Sequence, residues 1–147
     1  MSLAQENEVL STLASINLEA SNFYKMAAQT SPTRPLEHAF SNLEHLHRTI
    51  LMDLVRRIQD NGGQPSLALV ETDIVIFDEL RRSLDNIDDH FILRLEQAAD
   101  ACLTLIEQAL RESRVRTDTK ALLLHELSQL RKSYSYMQNL RDIIRNS

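Results

Sequence analysis

The 147-residue chain has one cysteine, two glycines, three prolines and no tryptophan. A lone Cys102 can close no intramolecular disulfide and belongs to no CxxC pair, so the fold must be held by its core and a reducing compartment suits it. Gly62, Gly63, Pro32, Pro35 and Pro65 all fall between residues 32 and 65. The remaining stretches are therefore free of the strongest helix breakers. No apolar run approaches the ~18 residues of a membrane-spanning helix, and no charged-then-apolar leader opens the sequence. A cytoplasmic protein without a membrane partner is the expectation. Positive charge is also in deficit, with 16 Lys and Arg against 21 Asp and Glu. A nucleic-acid partner is not expected, because phosphate binding needs clustered cations. With 43% apolar and 25% charged residues, the composition is that of an ordinary globular chain, read as one domain over residues 1–147.

What the chain does have is helical periodicity. Val9, Leu13, Ile16, Ala20, Phe23 and Ala27 recur at three- and four-residue spacing, which predicts a first helix over about 4–29 with one apolar face. Thr30-Ser31-Pro32-Thr33 interrupts it, and Thr33 can cap a second helix over about 34–61, whose first turn tolerates Pro35. Leu36, Ala39, Phe40, Leu43, Leu46, Ile50, Leu54 and Ile58 carry its stripe. Gly62-Gly63-Gln64-Pro65 stops it, with glycine for the left-handed cap and proline just beyond. Residues 64–85 then read as a long, largely helical crossover, on the spacing of Leu67, Val70, Ile74, Phe77, Leu80 and Leu84. The acidic run Asp85-Asn86-Ile87-Asp88-Asp89 offers a cap and favourable charge to a third helix over about 86–113, with Phe91, Leu95, Ala98, Cys102, Leu105 and Ala109 inward. Thr117-Asp118-Thr119 starts a fourth over about 118–145, with Leu123, Leu127, Leu130, Tyr134 and Met137 as its stripe. Four helices of roughly 40 Å, joined by two tight turns and one crossover, make an all-α four-helix bundle.

Two helical hairpins joined by a crossover are the ferritin-like plan, and the residues resemble that superfamily. Asn17-Leu18-Glu19-Ala20-Ser21-Asn22-Phe23-Tyr24 looks like the ferritin first-helix pattern, a glutamate followed seven residues later by a tyrosine. The Gly62-Gly63-Gln64-Pro65 ending is similar to the Gly-Gly-x-Pro turn that closes rubrerythrin-type second helices. Leu95-Glu96-Gln97-Ala98-Ala99-Asp100 and the stretch from Leu127 to Leu140 look most like an uncharacterised bacterial family of ferritin-like bundles. The resemblance implies a di-iron centre built from one inward carboxylate on each of two helices and a Glu-x-x-His pair on each of the other two.

The ligands for such a centre are incomplete. One Glu-x-x-His pair exists, Glu44 with His47. At about 100° per residue, His47 lies roughly 30° from the middle of the second helix's stripe and Glu44 roughly 85° from it. The family's register, counted from the glycine turn, puts Ile50 at the histidine position and His47 at the glutamate position, and Asn17 stands at the first-helix glutamate. Glu19 is rotated off the core face, Glu96 sits about 100° off the third helix's stripe, and Glu126 belongs to no full second pair. The expectation is accordingly that no cofactor is held, that no residue is catalytic, and that Asn17, His47 and Tyr134 form a buried polar cluster on facing stripes. If a metal does bind, iron or another divalent ion would sit at His47 and Glu44, with Glu19, Glu96 or Glu126 completing the site. Cys102 reads as a small buried hydrophobe. Arg111-Glu112-Ser113-Arg114-Val115-Arg116 reads as a solvated helix end. A phospho-accepting histidine at His45 or His125 lacks the glycine and lysine that usually accompany one.

These readings combine into a ferritin-like bundle of unassigned activity with a lost or incomplete di-metal site, acting as a self-associating interaction protein. Homodimers or higher homo-oligomers are expected through Val75, Ile76, Leu103, Leu122 and Leu140, which fall off the assigned stripes. The alternative is a divergent di-iron-type protein that stores or oxidises iron.

Overall fold

The computed structural model describes residues 3–67 and 71–146, and among them it contains helices and no strand. The helices are α1 (Leu3–Thr30), α2 (Arg34–Asp60), α3 (Glu71–Arg82), α4 (Asp89–Leu110) and α5 (Thr117–Arg145). The four long ones match the sequence-predicted helices, and α3 lies in the predicted crossover. Their ends follow local chemistry. The Thr33 hydroxyl accepts the Leu36 N–H at 3.4 Å, and the Asp88 carboxylate accepts the Phe91 N–H at 2.9 Å, so each satisfies a helix-start donor that has no partner within the helix. Gly62 follows the end of α2 at φ 82°, a left-handed conformation that costs any other residue steric strain. A side chain on Gly63 would run into Asn7 of α1. The turn therefore lets the end of α2 lie directly on the start of α1.

Within the crossover the helix is shorter than the periodicity suggests. Residues 63–67 adopt no regular structure. Phe77 and Leu80 are buried, whereas Leu67 is exposed. Val70 and the side chains of Ile74 and Val75 lie outside the described residues.

Contacts along the helices fix their neighbours and directions. Glu6 of α1 lies near Asn61, just past α2, and Tyr24 packs on Phe40, so these two helices run antiparallel. Arg141 of α5 pairs with Glu96 of α4, and Tyr134 meets Asp100, which makes α4 and α5 antiparallel as well. Arg57 near the end of α2 reaches Asp118 at the start of α5 at 3.6 Å. Phe23, near the end of α1, meets Phe91, near the start of α4, with ring centroids 6.4 Å apart. The long helices thus neighbour one another in the order α1, α2, α5, α4. Because α2 and α4 run the same way, the chain must travel the length of the molecule between them. The α3 segment covers part of that distance, packed against α1 and α4.

The core is aliphatic along most of its length and aromatic at one level. All four phenylalanines, Phe23, Phe40, Phe77 and Phe91, are buried together with Tyr24, and Phe23 touches three of the other rings with centroids 5.1 to 6.4 Å apart. Offset and edge-on ring pairs of this kind add ~1 kcal/mol each beyond the area they bury.

The apolar surface patch expected from the sequence does not form. Leu103 and Leu140 are buried and Ile76 and Leu122 are half-buried. Each of α4 and α5 touches two long helices, so its buried face is wider than a single stripe and takes in residues that a one-sided count leaves outside.

Candidate functional site

His47 of α2 is 2% exposed, and its Nδ1 lies 2.9 Å from Oδ1 of Asn17 on α1. The Asn17 amide nitrogen donates to the Leu13 carbonyl at 2.8 Å, which leaves Oδ1 as the acceptor and assigns the imidazole proton to Nδ1. Tyr24 stacks on the imidazole at a centroid distance of 5.5 Å. Burial pushes His47 down to about 4, so the ring is neutral at pH 7. The Tyr24 phenol is driven upward by the same burial, with a smaller contribution from Cys102.

Tyr134 does not join this pair, which corrects the three-residue cluster. It is 38% exposed, and its hydroxyl donates to Asp100. At about 100° per residue, Ser133 and Tyr134 lie equally far, roughly 50°, on either side of the line through Leu130 and Met137. Apolar preference selects Tyr134, but packing turns Ser133 inward.

The sequence-level metal candidates are dispersed. Glu44 pairs with Arg48 at 3.1 Å, Glu19 with Arg81 and Glu96 with Arg141. Ile50, one turn beyond His47, is fully buried. Around His47 the structure therefore supplies an imidazole, an amide and a phenol, without the carboxylates that bind iron pairs, and this donor set does not fit a di-iron centre.

One residue on the candidate list, Glu126, lies in a different cluster. Asp53 from α2 and His125 and Glu126 from α5 each place a ligand atom within 4.8 Å of the other two. Glu126 is fully buried, Asp53 half-buried and His125 exposed. Neither Glu126 oxygen accepts a hydrogen bond. Burial, and then the facing Asp53 carboxyl, pushes Glu126 up to about 9, so Glu126 holds its proton at neutral pH. A signal for Glu126 exists in the sequence, since it stands three residues after Leu123 and four before Leu130, in core register. Asp53 gives no such signal, because an acid flanking an apolar stripe looks like any solvated helix residue.

Another buried acid, like Asp53, gives no signal in the sequence. Glu6 is fully buried and accepts from the Arg116 backbone N–H at 2.9 Å, its Nε at 3.2 Å and Nη2 at 3.0 Å, and from the Asn61 amide at 2.7 Å. Burial alone would raise its pKa, but the Arg116 and Asn61 hydrogen bonds hold the carboxyl down to about 2. Arg116 is thus a structural tie and not part of a purely solvated helix end, whereas Arg114 behaves as the sequence suggests and pairs with Glu112 at the surface.

In comparisons with known proteins the chain matches no family model, no curated protein and no solved structure.

Proposed function

We propose that the chain is a ferritin-like four-helix bundle without the di-metal centre of that superfamily, acting as a non-catalytic, self-associating helical protein. The neighbour order of the long helices, their alternating directions and the crossover after α2 support the ferritin-like reading. The absence of a di-metal function is carried by the Asn17–His47 pair. Where the first two helices of a di-iron bundle present ligands, this chain buries an amide and an imidazole that satisfy each other at 2.9 Å. Self-association draws on Met52 and Leu124, each 57% exposed on the neighbouring helices α2 and α5, and a two-fold dimer is the commonest assembly for a soluble chain.

Metal analysis of protein grown in iron-supplemented medium tests the first part. The expected result is no paired iron dependent on His47. Two near-stoichiometric iron equivalents that disappear in His47→Ala would overturn the reading. Sedimentation at micromolar concentration tests the second part, and a strict monomer would sink it.

A further inference from the structure

We propose that Asp53, His125 and Glu126 bind one divalent transition-metal ion, of the zinc or manganese type, at the seam between α2 and α5. This site is separate from the position discussed above and does not depend on the reading of His47.

The first observation is a missing positive charge. Glu6, Glu19, Glu44 and Glu96 each have an arginine partner. Among the described residues, no lysine or arginine lies within salt-bridge distance of Asp53 or Glu126, although Glu126 is the fully buried one of the two. A buried acid without a cationic partner either holds its proton or coordinates a metal. The second observation is that neither Glu126 oxygen has a hydrogen-bond partner, while one Glu126 ligand atom lies within 4.8 Å of ligand atoms on Asp53 and His125. The third is the donor set. One imidazole with two carboxylates suits borderline divalent ions, whereas calcium and magnesium prefer oxygen ligands alone.

Geometry permits the closure. Donor atoms bound to one such ion stand ~3 to 4 Å apart, given bonds of about 2.0 to 2.2 Å. The three atoms lie within 4.8 Å of one another, so small rotations of the half-buried Asp53 and the exposed His125 bring them into range of the fixed Glu126. Because His125 opens to solvent, water completes the coordination and the ion enters from that side.

The test is calorimetric titration of the full chain, freed of metal by chelator, with zinc chloride and separately with manganese(II) chloride. One equivalent of at least one of the two ions is expected to bind saturably, weakened about tenfold or more by Asp53→Asn, His125→Ala or Glu126→Gln. His45→Ala and His47→Ala should bind as the wild type does. His125 is at the surface and Glu126→Gln preserves side-chain shape, so both variants should keep the helical circular dichroism of the parent, and the same signal followed on heating should show metal stabilising the parent and neither variant. Failure of both ions to bind saturably would overturn the proposal. So would unchanged affinity in His125→Ala and Glu126→Gln, or loss of binding in His45→Ala or His47→Ala.

Discussion

Glu6 and Arg116 stand 110 residues apart in the chain, and the guanidinium and backbone N–H of Arg116 both close on the one carboxylate. Arg116 also donates to the Asn61 side chain at 2.8 Å, and Asn61 in turn donates to Glu6. The start of α1, the end of α2 and the start of α5 are thereby tied at one end of the molecule.

Breaking this tie from the cationic side should cost more than breaking it from the anionic side. Arg116→Met leaves the buried carboxylate with only the backbone N–H of residue 116 and the Asn61 amide, and is expected to be the more costly of the two substitutions. Glu6→Gln keeps a polar group that can still bond Asn61, and about 1 to 2 kcal/mol should go. Urea unfolding midpoints, with unchanged slopes, would show the order.

Two groups should each withdraw stability in acid, over separable ranges. His47 is held down to about 4 from an ordinary 6.5, so the unfolded chain takes up a proton first and this contribution is lost as pH drops from about 6.5 toward 4. Glu6 is held at about 2 against an ordinary 4.5, so its contribution is intact above about 4.5 and disappears between there and 2. Thermal melts from pH 8 to pH 2 should therefore show the difference between wild type and His47→Gln changing in the upper part of the range and the difference between wild type and Glu6→Gln changing in the lower part. A difference curve between wild type and His47→Gln that stays flat between pH 7 and 4 would refute the assignment for His47, because the raised Glu126 slopes the wild-type curve the opposite way over the same range.

The two N-caps should differ in strength. Asp88→Ala is expected to cost about 1 kcal/mol or slightly more, because a charged acceptor 2.9 Å from the Phe91 N–H also faces the positive end of α4. Thr33→Ala removes a neutral contact of 3.4 Å and should cost about half as much. Denaturant titrations of the two variants side by side test the ranking.

On α5 the inward and outward neighbours predict opposite responses. The Ser133 hydroxyl is buried without a partner, so Ser133→Ala should be neutral or stabilising by up to about 1 kcal/mol. Tyr134→Phe removes a hydroxyl at the exposed surface and should change stability by less than about 0.5 kcal/mol. A destabilised Ser133→Ala would show that the hydroxyl has a partner in solution.

The helices were legible because their evidence is local. Gly62 and Pro65 end α2 where the sequence places the break, and Thr33 and Asp88 start α2 and α4 as caps do. The site residues were harder to read for a geometric reason. Asn17 and His47 could be matched because each sits near the middle of a stripe. Ser133 and Tyr134 straddle a stripe edge, where angle alone does not decide, and the more apolar residue was the wrong choice. Asp53 and Glu6 depend on partners in helices distant along the chain, so nothing in their own surroundings announces them. The expected surface patch failed similarly, since Leu103 and Leu140 are covered by helices whose positions no single-helix pattern contains.

The junction at Glu6 and Arg116 also sets the distance between the two ends of the described chain. The start of α5 lies beside the start of α1, and the 29 residues of α5 then run away from it, so the far end of α5 is roughly 40 Å distant at ~1.5 Å per residue. A circular permutant would have to span that length outside the core, which takes a linker of at least ~12 fully extended residues.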